Sequence, residues 1–414
     1  MSNHNFKFGL SNKANSNSSL FKRNRMIFYA NDSVVFGNIN FNFRFRVDQK
    51  GREADDTGWD DPDLEWAYDM DRMVMDWKVN KILSLKLGKD RLNWGPLKIG
   101  GLLLADYNQG FNMVHQEYKL GPFVLKGLCA QLNSLYNGEI NYTGDSAEVL
   151  NRFYSASRLE YCQERYGLAV AQSIIYSGIN RSFEIQYVLP FYPYYYSQMS
   201  NWRYGNSNEN IFVGMDYYFW LKKYLKMYGE LLIDDFQIHS DAESQSVQNS
   251  IAYMLGIEFS CNDKYSGFIE GGQINSFVYN HGIGKRLQYR IENAFIGSPL
   301  GPDQRLVWGN FTRKMKLLWD IGLDFWVRRS GERNINYTYV SVFNTRDDSV
   351  PYGSVENENA IWLKNNISKF NVSISLEGGW VWYNNMDNKK GNSRNFPFIA
   401  LSVCGGLKLS ADGS

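Results

Sequence analysis

Acidic pairs, histidines and cysteines are the residue types through which this chain would do chemistry, and their spacing mainly rules chemistry out. Asp234 and Asp235 are adjacent carboxylates, but neighbours in a strand point to opposite faces, so only one can face a given cleft. Hydrolysis of a glycoside needs two carboxyl groups on one cleft, about 5 to 9.5 Å apart. This pair alone does not qualify. The histidines His4, His115, His239 and His281 show no His-x-x-x-His spacing, and no Gly-x-Ser-x-Gly turn raises a serine nucleophile. A triad assembled across strands is the one catalytic route that sequence spacing leaves open. Cys129, Cys162, Cys261 and Cys404 make no short-spaced pair, which fits small apolar filling rather than a zinc site or a disulfide framework. Gly267 to Gly272 sits in a strand-like run, not a phosphate loop. No catalytic residue, metal ion or cofactor is expected.

Sugar recognition is the other chemistry within reach. It needs aromatic faces to stack on a pyranose and planar polar groups to bond its hydroxyls. Two segments supply both: Arg91, Trp94, Asp106, Tyr107 and Asn108 in one, and Tyr192, Tyr194, Tyr195, Tyr196, Trp202 and Tyr204 with Asn201, Arg203, Asn206 and Asn208 in the other. The candidate carbohydrate-binding set is Arg91, Trp94, Asp106, Asn108, Tyr194, Tyr196, Trp202, Asn206 and Asn208. The competing reading of the Tyr/Trp cluster is an interfacial aromatic belt. For Arg91, Asp106, Arg152 and Arg158 it is a salt-bridge lattice bracing a wide lumen.

The elements that must position these residues are strands. The chain holds 28 Tyr, 26 Phe and 12 Trp but only 9 Pro in 414 residues, a mixture that favours strands and turns. Apolar and polar residues alternate over long stretches: Ile39, Phe41, Phe43, Phe45 and Val47 against Asn40, Asn42, Arg44 and Arg46; Ile251 through Phe259; Val372 through Trp382; Ile399 through Leu409. Met315, Leu317, Trp319, Ile321, Leu323, Phe325 and Val327 read as the outward face of one strand, with Lys314, Lys316, Asp320, Asp324 and Arg328 inward. A dry core would not accept those charges unpaired. Turn-like clusters divide the chain into roughly 16 to 18 such strands, an even count suiting a hairpin-built bacterial barrel. The expected fold is all-β, a large antiparallel transmembrane barrel spanning residues 26–414. No apolar run of 18 residues exists, so a helical span is excluded.

With 44 basic and 43 acidic residues dispersed along the chain, no nucleic-acid footprint is present. The expected partner is outer-membrane lipid, and the chain is expected to be a monomer. Met1 to Phe21 is Asn/Ser-rich and lacks the apolar run of a secretory signal. Residues 1–25 are therefore expected to be a polar segment, periplasmic or truncated. The last residues, Leu409 to Ser414, lack the terminal aromatic by which such barrels are recognised for insertion.

Several blocks, in consistent order from Met26 to Arg329, resemble the capsule assembly protein Wzi family. They are Gly88 to Asn108, Phe111 to Gln131, Asn151 to Tyr161, Ala169 to Tyr176, Tyr187 to Asn210, Tyr228 to Gln237 and Gly297 to Asp303. The resemblance implies an outer-membrane barrel of about 18 strands. It also implies a lectin that holds capsular or related exopolysaccharide on the bacterial cell, without catalysing a reaction. Nothing before Met26 reads as the helical bundle that the family carries at the periplasmic end. A porin-like channel and a purely structural barrel are the alternatives.

Overall fold

The computed structural model describes residues 3–14, 25–49, 66–107, 110–136, 149–197, 208–235, 250–281, 284–292, 294–316, 319–336, 349–369 and 372–410. In chain order the strands are β1 (Asn3–Ala14), β2 (Arg25–Phe36), β3 (Ile39–Gln49), β4 (Trp66–Lys78), β5 (Leu83–Asp90), β6 (Phe111–Leu120) and β7 (Phe123–Gln131). There follow β8 (Leu135–Tyr136), β9 (Val149–Cys162), β10 (Tyr166–Ile179), β11 (Glu209–Lys222), β12 (Leu225–Asp235), β13 (Ser250–Cys261) and β14 (Tyr265–Ile274). The last are β15 (Arg290–Ile291), β16 (Ala294–Phe295), β17 (Gln304–Lys316), β18 (Trp319–Ser330), β19 (Glu356–Lys369), β20 (Val372–Asn384) and β21 (Arg394–Ser410).

Among the described residues, nineteen strands form one sheet. Apart from the two-residue β8, each strand of that sheet pairs antiparallel with its sequence neighbours, and β21 returns to pair with β1 over Ser410 to Ile399. The sheet therefore closes into a barrel of eighteen long strands, within the range expected from the sequence. Closure leaves no unpaired edge, a condition for crossing a bilayer. Residues 3–14, read from the sequence as part of a polar lead-in, supply the strand between β2 and β21. Their alternation is too polar to announce a strand, and both flanking strands supply backbone partners.

At one end of the barrel the connections are only two to four residues long; at the other they run from nine to 29. Both termini lie at the short-connection end, the pattern of bacterial barrels with short periplasmic turns and long extracellular loops. Around the short-connection end a ring of exposed aromatics, including Phe123, Tyr166, Phe219, Tyr265 and Phe311, points outward, as an interfacial girdle does.

Side chains follow the expected alternation. In β13 Tyr253, Leu255 and Ile257 are exposed while Ala252 and Met254 are buried. In β20 Leu376, Trp380 and Trp382 are exposed while Val381 and Tyr383 are buried. The expected single strand from Met315 to Val327 is corrected to a hairpin: β17 ends at Lys316 and β18 begins at Trp319. The two-residue connection preserves period 2 across the break, which is why the pattern reads through it. From Trp319 onward Leu323 and Val327 face out and Asp324 and Arg328 face in, as expected. Leu317 and the side chain of Lys316 lie outside the described residues.

Candidate functional site

Two long connections turn inward and pack against the inner wall at the loop end. The first, described over residues 91–107, folds on itself through a bridge between Trp94 and Leu104. Apolar residues alone would not hold its backbone there, because every buried N–H and C=O needs a partner. The inner wall supplies them. In β12 Glu230 accepts the N–H groups of Leu97 at 3.3 Å and Leu102 at 2.7 Å. In β14 Glu270 accepts those of Lys98 at 2.5 Å and Ile99 at 3.1 Å, and the Tyr228 hydroxyl at 2.8 Å. Gly95 has φ +109°, and a Cβ there would lie 2.0 Å from Glu230 Oε1, so only glycine fits against that carboxylate.

The second segment, described over residues 275–281, 284–292 and 294–303, lies against the first. Tyr279 donates its hydroxyl to Leu102 O at 2.6 Å, and Tyr289 donates to Leu103 O at 2.7 Å. The Tyr279 and Tyr289 rings stack at 5.5 Å. Burial pushes both phenols well above their ordinary range, which keeps them protonated and donating. Asp234 accepts the Tyr279 N–H at 2.9 Å. Arg152, 1% exposed, donates to the carbonyls of Arg286, Gln288 and Arg290 at 2.8 to 3.0 Å. At the segment's end Asp303 accepts from Ser276 Oγ and from the N–H groups of Arg333 and Tyr352. Burial raises the Asp303 carboxyl above its ordinary range. The two segments and the inner wall share one apolar cluster that includes Trp94, Leu102, Leu104, Tyr154, Phe212, Tyr279 and Tyr289.

Beside this plug the inner wall carries an ion-pair lattice. Arg158 pairs with Asp216, with one contact at 2.9 Å, and with Glu160 at 2.5 Å. Arg44 and Arg91 both meet Asp71, at 2.6 and 3.3 Å. Asp71 reaches them because the β3–β4 register shifts at this point, a bulge that aims an extra side chain. Between the turn end of β2–β3 and strands β4–β6 lies a cavity of about 510 Å3 whose polar lining includes Asn40, Asp76, Lys86, His115 and Glu117.

The candidate sugar-binding residues fall apart in space. Trp94 is 4% exposed and Tyr194 0%, so neither presents a ring face to a ligand. Arg91 sits in the lattice, as the alternative reading had it. Asp106 and its neighbour Tyr107 are exposed, and Tyr196 is exposed. Asn208 is half-buried at the start of β11. Asn108, Trp202 and Asn206 lie outside the described residues, as does the side chain of Asp235. The sequence singled out no role for Glu230 or Glu270. The signal available was a Glu on the lumen-facing parity of each strand, between Tyr228 and Leu232 in β12 and between Phe268 and Gly272 in β14, with Lys226 and Asp234 the other charges on the β12 face.

Residues 180–197 go to the other side of the wall. In β9 and β10 Leu159, Leu168 and Val170 are exposed on the outer face, and pairing in these strands proceeds without a register shift. By the same parity Phe153, Ser155, Ser157, Gln172, Ile174 and Tyr176 also point outward. They are covered by Tyr187, Tyr192 and Tyr194 in a second apolar cluster, separate from the plug.

A closed, even-stranded antiparallel barrel with an apolar outer face and a charged inner one is the fold of outer-membrane β-barrel proteins. The structure is similar to one described as Wzi, an outer membrane protein involved in group 1 capsule assembly in Escherichia coli and a carbohydrate-binding β-barrel. The TM-score is 0.66 at 13% identity, over 98% of this chain and 84% of that one. It is also similar to the outer membrane protein OpdK from Pseudomonas aeruginosa (TM-score 0.54, 10% identity, 99% of each chain). OccK8 (OprE) of the same organism matches with TM-score 0.52 at 11% identity, over 99% of this chain and 98% of that one. No protein-family model matches the chain, and no curated protein sequence matches it.

Proposed function

We propose that the chain is an outer-membrane barrel of the capsule assembly type, which binds bacterial surface polysaccharide and holds it at the cell surface without catalysing a reaction. The observation that carries this is the pair of segments held inside the barrel by wall side chains. Residues 91–105 and 275–303 are bonded to the wall through Glu230, Glu270, Asp234 and Arg152, with an apolar core between them. A diffusion channel needs a continuous aqueous path, whereas a surface receptor needs a rigid, closed platform. The likeness to Wzi and the ordered sequence blocks support the same reading. Asp106 and Tyr107, exposed at the rim of the plug, offer a carboxylate and a ring face to a glycan.

The second reading is a porin-like channel, favoured by the polar cavity at the turn end and by the likeness to OpdK. One pair of measurements separates them. Purified protein refolded in detergent is titrated with a panel of bacterial surface polysaccharides, beside a variant carrying Asp106→Ala and Tyr107→Ala, and both are placed in planar bilayers. Binding that weakens in the variant, without steady conductance, is expected. Steady ion conductance with no polysaccharide bound by folded protein would overturn the lectin reading in favour of the channel.

A further inference from the structure

Residues 178–197 leave β10, double back over the outside of the barrel and run down its wall toward the short-connection end. Beneath them the outer face is polar or small at positions where the neighbouring wall is apolar: Gln116, Gly127, Ser155, Ser157 and Gln172. Next to that patch, on the same face, Val114, Leu159, Val170 and Val213 are exposed in the manner of lipid-facing residues.

The polar wall residues bind the segment's backbone. Gln116 Nε2 donates to Val188 O at 2.7 Å, Cys129 Sγ to Tyr187 O at 3.1 Å and Gln172 Nε2 to Tyr192 O at 2.7 Å. Gln172 Oε1 accepts the Tyr194 N–H at 3.1 Å. The N–H groups of Leu189 and Tyr192 bond within the segment, and Pro190 and Pro193 have no N–H to satisfy. At the top, Arg181 bonds the carbonyls of Ser177 and Asn208 and the carboxylates of Glu184 and Glu209. The outward side is apolar: Ile185 is 80% exposed, Phe191 71% and Leu189 45%, and Tyr195 and Tyr196 are exposed as well.

Depth follows from the packing. A Cβ on Gly127 would lie 3.0 Å from Pro190 Cβ, and Gly127 stands four residues along β7 from Phe123 in the aromatic girdle. At about 3.3 Å per residue and a tilt of about 45°, Pro190 lies roughly 10 Å above that girdle, within an apolar band about 25 Å tall. Irregular backbone is excluded from hydrocarbon unless its polar groups are satisfied by protein. The carbonyls of Tyr187, Val188 and Tyr192 and the N–H groups of Leu189, Tyr192 and Tyr194 meet that condition.

We propose that residues 183–196 form a lipid-facing flap, an external strap that covers the barrel wall at this sector and contacts the acyl chains of the membrane through Ile185, Leu189 and Phe191. The flap extends the wall's own lipid surface without a break, and it rests on the reading that the barrel spans a bilayer. The polar strip beneath it is its mounting.

The test uses nitroxide labels in protein refolded into phosphatidylcholine vesicles, with Cys162, Cys261 and Cys404 changed to serine and Cys129 left beneath the flap. Phe191→Cys carries the label of interest, Val170→Cys reports the bare outer wall, and Lys390→Cys reports a loop in water. Because Phe191 is 71% exposed, its substitution removes little packing. Collision with oxygen relative to a water-soluble nickel chelate is expected to agree at positions 191 and 170 within about twofold, and to be roughly tenfold lower at 390. If position 170 reads lipid while 191 matches 390, the flap is overturned and the membrane reading stands. If 170 and 191 both match 390, both fall.

Discussion

Glu230→Ala removes the acceptor for two buried backbone N–H groups, those of Leu97 and Leu102, at the centre of the first plug segment. Leaving a buried N–H without its acceptor costs about 1–3 kcal/mol, so the loss over the two is roughly 2–6 kcal/mol. At about 1.4 kcal/mol per decade the open population of the segment rises by roughly 10 to 10⁴. Hydrogen exchange read by mass spectrometry on peptides covering residues 91–105 should accelerate by that factor, while exchange in β19 and β20 on the far wall stays unchanged. Glu230→Gln keeps one carbonyl acceptor and should fall between the two. Acceleration of less than tenfold in a folded barrel would refute the claim that wall carboxylates hold the plug, and would leave apolar packing as its only restraint.

Two further outcomes follow from the second plug segment. Arg152→Met strips donors from three carbonyls, one buried and two partly buried, and exchange should quicken by at least tenfold across residues 284–292 with the barrel intact; unchanged rates would mean that the Tyr279–Tyr289 stack suffices. Burial, reinforced by the nearby Arg286 charge, lowers the His281 imidazole from its ordinary 6.5 to about 4. A depressed folded-state value means the neutral form is favoured, so its stabilising contribution is complete above pH 6.5 and is lost as pH falls toward 4. The wild-type unfolding temperature should drop over that window more than that of His281→Asn, and parallel curves would contradict the assignment.

The barrel was legible in the sequence because lipid on one side and charge on the other impose period 2 over whole strands, as in Ile251 to Phe259. The plug was half legible. Gly95, Pro96 and Gly100 mark Arg91 to Asn108 as a break in pairing, but inward and outward folding share that signature, and only the lumen carboxylates on β12 and β14 decide it. The Tyr-rich stretch was read as glycan platform or aromatic belt, and Tyr194 lies in neither position. A clue was present: Gln116, Ser155, Ser157 and Gln172 occupy positions where period 2 calls for lipid-facing apolar residues. Such a polar gap in an otherwise apolar face says that something other than lipid covers it.

The strand β9 shows why plug and flap belong to one design. Inward it carries Arg152, Tyr154 and Arg158; outward it carries Phe153, Ser155 and Ser157. Neither face would be stable alone in its expected medium. Facing hydrocarbon, the hydroxyls and the Gln172 amide would each lose hydrogen bonds worth several kcal/mol. The flap would fare no better without the wall, because the carbonyls of Tyr187, Val188 and Tyr192 would enter the bilayer unpaired. Each therefore requires the other before either can sit at membrane depth. Wall and flap thus stabilise each other at membrane depth, in a sector stitched on its inner side by Arg152 and on its outer side by Gln172.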